Sequence, residues 1–514
     1  MVCTVDWRAT DAGVAMLRSG GSAADAALAA NAVLAVTCPH LCGMGGDLWA
    51  IVHEPGREPR VLNATGRAGS GVDPDALRAR GLAQMPLRGD PVSVTVPGCV
   101  DGWEALAAAY GRLALDEVLA PAIGVAEDGF AAGELLAAAA VLVDDLAVDE
   151  IGTGLREGDT VRRPGTAGAL RAIVRDGRDG FYLGAFGRGL LAVGGGVYSE
   201  PDLERSPADW VAPAALDVFE RRLWTAPPSS QGYLIPAILH VADTLGLPDD
   251  ESDPEWLRIL VGGALGTGAD RPTLLHEHAD ARELLGEANL ARWTERTRRW
   301  PEGSTTLSTT AGDTTYLCTI DEDGMAVSLI QSNAMDFGSH LAEPETGTFL
   351  HNRGVGFSLE PGHPAELGPG RRPPSTLSPV MITDTEGKLV AVAGTMGGDS
   401  QPQLMAQHLV RLLRGAVDPA ALLDEPRWML AREGDRGFDL WPSDGGSGVC
   451  RLVTDPDGLA RWGAAAATLG FGVDPTAQPW SSAGFGHAHL IARTDDGWIG
   501  AAEPRVPERA AAAV

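Results

Sequence analysis

An α+β protein is what this sequence predicts, and three observations predict it. Apolar residues recur at helical spacing through much of the N-terminal part. Short β-forming runs separated by turn residues dominate after Thr314. A polar segment of small residues, PEGSTTLSTTAGD (301–313), separates the two parts and reads as an exposed linker ending at Asp313. Taken in order, residues 10–36 predict two helices broken at Gly20-Gly21, with Ser22 as N-cap of the second. The Gly-rich turn in PHLCGMGGDLWAIVHEP enters a strand from Leu48 to Val52. VSVTVPGCVDGWEALAAAYG reads as a strand, a turn at Pro97-Gly98 and a helix ending at Gly111. LDEVLAPAIGVAEDGF reads as a helix with Pro121 as a kink or boundary. Residues 140–200 alternate helix and loop on a solvated face. One strand over 214–226 precedes PPSSQG, which caps a helix running to Leu245, and more helix follows. After Thr314, strands are predicted at 314–320, 325–332, 379–384, 389–395, 486–493 and 497–502, with helices near 402–414 and 458–470. No internal repeat is visible.

Composition narrows the function. The chain has 514 residues, 44% of them hydrophobic, enough for a sizeable core. No apolar run reaches the ~18 residues that span a bilayer; the richest, AADAALAANAVLAVT, carries Asp25 and reads as a buried helix. The N-terminus, MVCTVDWRAT, has no basic stretch leading into an apolar one, so no secretory signal is read and a cytoplasmic location is expected. The six cysteines are scattered, and reduced structural thiols are expected. A net charge of −29 argues against nucleic acid and anionic membranes as partners, since both demand a basic face. His276, His278 and Asp280 alternate at a spacing that suits no single helix face, so no metal is expected there, and no cofactor elsewhere. His40, within CPHLCGMGG, is expected to support a Gly-rich loop rather than carry protons.

The stretch AGDTTYLCTIDEDGMAVSLIQSNAMDFGSH (311–340) reads as a hairpin turning at Asp321–Gly324. That it begins with Thr314-Thr315 has two readings. Threonine favours strands, or the chain is cut before Thr314 and this residue does the chemistry.

Seven segments in order decide between them. They are GGSAADAALAANAVLAVTCPHLCGMGGDLW, VPGCVDGWEALAAAYGRLALDEVLAPAIGVAEDGF, PPSSQG, TTYLCTIDEDGMAVSLIQSNAMDFGS, RRPPSTLSPVMI, AGTMGGDSQPQ and the closing EPR. Together they resemble the γ-glutamyltranspeptidase family over nearly the whole chain. The resemblance implies the N-terminal-nucleophile hydrolase fold, an αββα four-layer sandwich, self-cleaved into two intertwined subunits. The cut would fall between Asp313 and Thr314, giving a large subunit, 1–313, and a small subunit, 314–514, that stay together as one structural unit. A homodimer of such processed heterodimers is left open.

The chemistry follows from elementary acid–base behaviour. A hydroxyl is a weak nucleophile until a base takes its proton. A threonine that begins a chain carries its own base, an α-amino group with a reference pKa of about 7.7–8.0. In the uncut chain that nitrogen is an amide, so the precursor is expected to be inactive. The resemblance implies that Ser332 hydrogen-bonds the nucleophile, that the N–H groups of Gly397 and Gly398 hold the oxyanion, and that Ser375 and Thr376 bind the substrate carboxylate.

The sequence also departs from the family. Where the family has a carboxylate-binding arginine, Pro74 stands near. The family's substrate-binding asparagine aligns with Ala334, one residue from Asn333. Arg353 and Gly356 stand where a glutamine and an aspartate are usual, and TTY replaces TTH. A guanidinium repels ammonium and grips carboxylates, so Arg353 is expected to favour a short, anionic acyl group lacking an α-amino group. GTMGGDSQPQ and CTVDWRAT look closer to the oxamate amidohydrolase-type branch. The expectation is therefore a self-processing threonine acyl hydrolase or acyltransferase that forms an acyl-Thr314 intermediate on a small, oxamate-like molecule. The alternatives are a glutathione-type γ-glutamyl hydrolase or transpeptidase, a C–C bond-cleaving member of natural-product biosynthesis, and a non-catalytic ligand-binding relative.

Overall fold

The computed structural model describes residues 1–143, 145–146, 148–152, 154–300, 313–415, 418–432, 450–475 and 485–514. The expected linker, 301–313, lies outside them except for Asp313.

Two antiparallel sheets form the centre. The first has seven strands in the order Ala510–Ala512, Val2–Thr4, Asp313–Ile320, Ala326–Ala334, Asp47–His53, Arg60–Ala64 and Asp209–Val211. The second has six, in the order Gly497–Ala502, Ala488–Thr494, Leu389–Thr395, Val380–Thr383, Arg221–Thr225 and Ala214–Val218. Each of these two sheets combines strands from before and after position 313, so neither part of the chain supplies a complete central sheet.

Alternation along the strands builds the layers. In Asp47–His53, Leu48, Ala50 and Val52 face one core while Trp49 and Ile51 face another. In the second sheet, Trp224, Met381, Val392 and Ile491 join Trp49 and Tyr316 between the sheets. Leu223, Val380, Ile382, Ala391 and Leu490 point outward. Helices Trp7–Arg18, Ala23–Thr37, Cys99–Tyr110 and Leu115–Asp128 cover the outer face of the first sheet. Helices Leu234–Leu245, Pro254–Gly268, Gln401–Leu413 and Pro456–Thr468 cover the second. Three cores between four layers make the αββα sandwich.

The helix Ala23–Thr37 is buried along its whole length, as a helix apolar on every face must be. Ser22 and Asp25 close a reciprocal capping box at its start. Pro121 lies inside the continuous helix Leu115–Asp128 and does not end it. Two sequence expectations are corrected. No strand forms at 92–96: Pro91–Ser93 is a 3₁₀ turn, and Val96 N–H bonds the lone carbonyl of Arg67 at 2.9 Å rather than a ladder. The single strand over 214–226 is a hairpin, Ala214–Val218 with Arg221–Thr225. Its turn residues, Phe219 and Glu220, both have positive φ without being glycine or asparagine, which hid the turn from sequence. The described cysteine side chains, Cys3, Cys38, Cys42, Cys99 and Cys318, are buried and free of disulfides. Among the described residues no helix is long and apolar enough to cross a membrane.

Candidate active site

The hairpin predicted at Thr314 is present, and a bulge gives it chemical interest. Gln331 pairs with Thr315 and Ala334 with Asp313, so Ser332 and Asn333 together oppose Thr314 alone. Ala334 takes a positive φ of 77° to complete the bulge. The distortion brings Ser332 Oγ to 3.0 Å from Thr314 Oγ1. Ala334 N–H donates to the same Ser332 oxygen at 2.7 Å. Thr314 is buried, 1% exposed.

The loop between Cys38 and Asp47 is laced to the bulge. Asn333 Nδ2 donates to Pro39 O at 3.0 Å and its N–H to Leu41 O. The Gln331 amide bonds both N and O of Gly43. At Gly46 a Cβ would lie 2.4 Å from Ser332 O, and at Gly45 it would lie 2.1 Å from Phe349 O. Gly45 and Gly46 of CGMGGDL are thus demanded by close backbone approach.

The Gly397-Gly398 turn follows the strand Leu389–Thr395. Three residues earlier, Gly394 packs so tightly on Tyr316 that a Cβ would lie 2.3 Å from the ring. Tyr316 is two residues beyond Thr314, so the turn and Thr314 share one end of the sandwich. Ser375 and Thr376 are buried in the segment facing Pro227–Gly232. Gln231 ties these pieces together: its Nε2 donates to Thr376 O at 3.0 Å and to Gly398 O at 2.9 Å. Sequence reasoning quoted PPSSQG without giving Gln231 a role. The signal available was its place in that motif.

The electrostatics correct the reading of Arg353. It is not an unopposed cation. Asp47, itself fully buried, accepts from its Nε at 2.9 Å and its Nη2 at 3.3 Å. Its Nη1 donates to Thr376 Oγ1 at 3.1 Å. A second buried ion pair, absent from the sequence reading, joins Arg271 Nη2 to Asp399 Oδ1 at 2.9 Å. Asp399 directly follows Gly398, the one sequence hint of its place. Burial lowers the Arg271 pKa, and Asp399 opposes that shift. Among the described residues no group of three His, Cys, Asp or Glu side chains is arranged to hold a metal ion.

His40 is 4% exposed, and neither ring nitrogen has a hydrogen-bond partner among the described residues. Burial holds its pKa down at about 4, with Asp336 opposing. Its folded pKa lies below the unfolded value near 6.5, so the unfolded chain binds more protons between these values. Stability from neutral His40 is therefore present above pH 6.5 and lost as pH falls towards 4. A His40→Gln variant is expected to lose stability less steeply than the parent across that window, as read from melting temperature against pH.

Four layers around two antiparallel sheets, with a buried threonine second in a central strand, are the architecture of the N-terminal-nucleophile hydrolases. Residues 9–513 match the model of the family described as gamma-glutamyltranspeptidase. The chain belongs to the γ-glutamyltranspeptidase family and is an enzyme of its hydrolase and acyltransferase class. It is 33% identical to the oxamate amidohydrolase proenzyme of Klebsiella pneumoniae, over 97% of this chain and 95% of that relative. It is also 33% identical to the glutathione hydrolase-like YwrD proenzyme of Bacillus subtilis, over 84% of this chain and 85% of that relative. Cephalosporin acylase from Bacillus halodurans superposes with a TM-score of 0.86 at 28% identity, covering 99% of this chain and 94% of that one.

Proposed function

We propose that the chain is a self-processing threonine acyl hydrolase or acyltransferase acting on a small anionic acyl donor of the oxamate kind. The observation that carries the reading is the Thr314–Ser332 hydroxyl contact at the head of the strand. Thr314 Oγ1 attacks the Asp313 carbonyl, the acyl group shifts from N to O, and water releases it. The freed α-amine then serves as base for the same hydroxyl in attack on substrate, giving an acyl-Thr314 ester. Ser332 orients the nucleophile, and the N–H groups of Gly397 and Gly398 receive the developing oxyanion. The proenzyme names of both 33% identical relatives support self-processing.

Anion preference comes through Thr376. Its oxygen accepts from the Arg353 guanidinium, which leaves its own proton to donate to a substrate carboxylate. Ser375 supplies the neighbouring hydroxyl, and Asn333, anchored to Pro39, shapes the wall beside the nucleophile. Arg353 acts through Thr376.

A second reading, a γ-glutamyl donor, is favoured by one observation. Asp47 balances Arg353, which removes the electrostatic objection to a substrate ammonium. Incubation with oxamate and, separately, with a γ-glutamyl anilide distinguishes the two. Oxalate and ammonia are expected; release of aniline alone would overturn the first reading in favour of the second.

A further inference from the structure

The two proposed oxyanion donors sit in unusual backbone, with φ of 126° at Gly397 and 54° at Gly398. Glycine reaches such angles without steric cost, but it also leaves them easily. Donors of this kind help catalysis only when their direction is fixed before the reaction. Several contacts hold this turn. The Gly397 carbonyl accepts from Ser400 N at 3.0 Å and from Ser400 Oγ at 2.7 Å. Because the C=O and N–H of one planar peptide point in opposite directions, this also aims the Gly398 N–H. The Gly398 carbonyl accepts from Gln231 Nε2. The next residue, Asp399, is held by Arg271 at 2.9 Å, with the two side chains 0% and 1% exposed. The Ser400 contact is internal to the turn. Gln231 and Arg271 reach it from the part of the chain before Thr314.

We propose that Arg271 is a positioning residue for acyl transfer, locking the Gly397-Gly398 turn through its buried bridge to Asp399. The inference rests on the assignment of Thr314 and the glycine pair as catalytic. Arg271 opens the short helix Arg271–Leu274, beyond the long helix Pro254–Gly268, so its backbone is fixed independently of the turn. Its charge also acts on Tyr233, two residues from Gln231, and on Arg353. Asp399 faces Arg271 as Asp47 faces Arg353, so among the described residues two buried ion pairs, drawn from both parts of the chain, lie beside Gly398 and Thr376. Stability alone explains such a pair poorly, because a buried ion pair adds little over apolar side chains of the same volume. A buried charge anchor that holds Asp399, and with it the glycine turn, in place explains it better.

The test uses the full chain carrying Arg271→Met, Arg271→Lys, Asp399→Asn, or the double change Arg271→Met with Asp399→Asn. Processing is read on a denaturing gel. Steady-state constants are measured with whichever of oxamate and the γ-glutamyl anilide the parent turns over faster. Arg271→Met is expected to lower kcat by about tenfold to a hundredfold, the cost of an ångström-scale misplacement, with KM within about threefold. Arg271→Lys should recover part of the loss, and the double variant should be no slower than the worse single one. Parental kcat in Arg271→Met, or losses that multiply in the double variant, would overturn the inference. Should Arg271→Met not fold, the uncharged double variant carries the test, and parental kcat there overturns it. Thr314→Ala keeps the two levels apart. If it still turns over substrate, the active-site assignment itself falls. If it is inert while Arg271→Met is fully active, only the role of Arg271 falls.

Discussion

Replacing Thr314 by alanine is expected to give a single uncut chain without measurable turnover. Both outcomes would have one cause, the loss of the oxygen proposed to attack first Asp313 and then substrate. Ser332, 3.0 Å away, cannot take over. It lies in mid-strand, so its own nitrogen is an amide and offers no base. Removing the nucleophile of a catalytic unit typically costs on the order of 10⁶-fold in kcat. Thr314→Ser keeps the oxygen and should both process and turn over, more slowly than the parent. A denaturing gel and a turnover assay on the three proteins read the result together. An alanine variant with two bands, or with parental activity, would rule out the proposed nucleophile.

The second large effect is expected at Asp47. Its carboxylate faces Arg353 with both side chains out of water, 0% and 1% exposed. Asp47→Ala takes from a buried guanidinium the carboxylate that faces it. Breaking such a pair from one side costs about 3–5 kcal/mol. The measurement is best made in the uncut Thr314→Ala background, where unfolding does not also separate two fragments. Asp47→Ala should then unfold at markedly lower denaturant than its parent. Adding Arg353→Met should recover much of the loss, because the stranded charge is removed with its partner. An Asp47→Ala loss under about 1 kcal/mol would show that the pair is solvated, and the link from Arg353 to Thr376 would lose its physical basis.

The local features of this fold were written in the sequence because they depend on neighbouring residues. Ser22 and Asp25 cap a helix three positions apart, and the Asp321–Gly324 turn joins two strands that touch. The site was legible where its parts lie on one hairpin, as with Thr314 and Ser332. It was not legible where partners are remote. Asp47 and Arg353 are 306 positions apart, and nothing short-range announces that one will neutralise the other. Arg353 therefore read as a free cation. Arg271 was invisible for the same reason, since only the folded chain brings it to Asp399. The edge strand Ala510–Ala512 and its neighbour Val2–Thr4 are too short to show a period, and the hairpin at Phe219-Glu220 lacks turn residues. Each omission is a tertiary contact overriding a weak local signal.

The most direct test of the whole account is N-terminal sequencing of catalytically active protein. The account predicts a second chain beginning Thr-Thr-Tyr-Leu-Cys, from Thr314 onward, in amount equal to the active sites. Full activity in material with no chain beginning at Thr314 would contradict it, because the threonine hydroxyl would then have no amine beside it to take its proton.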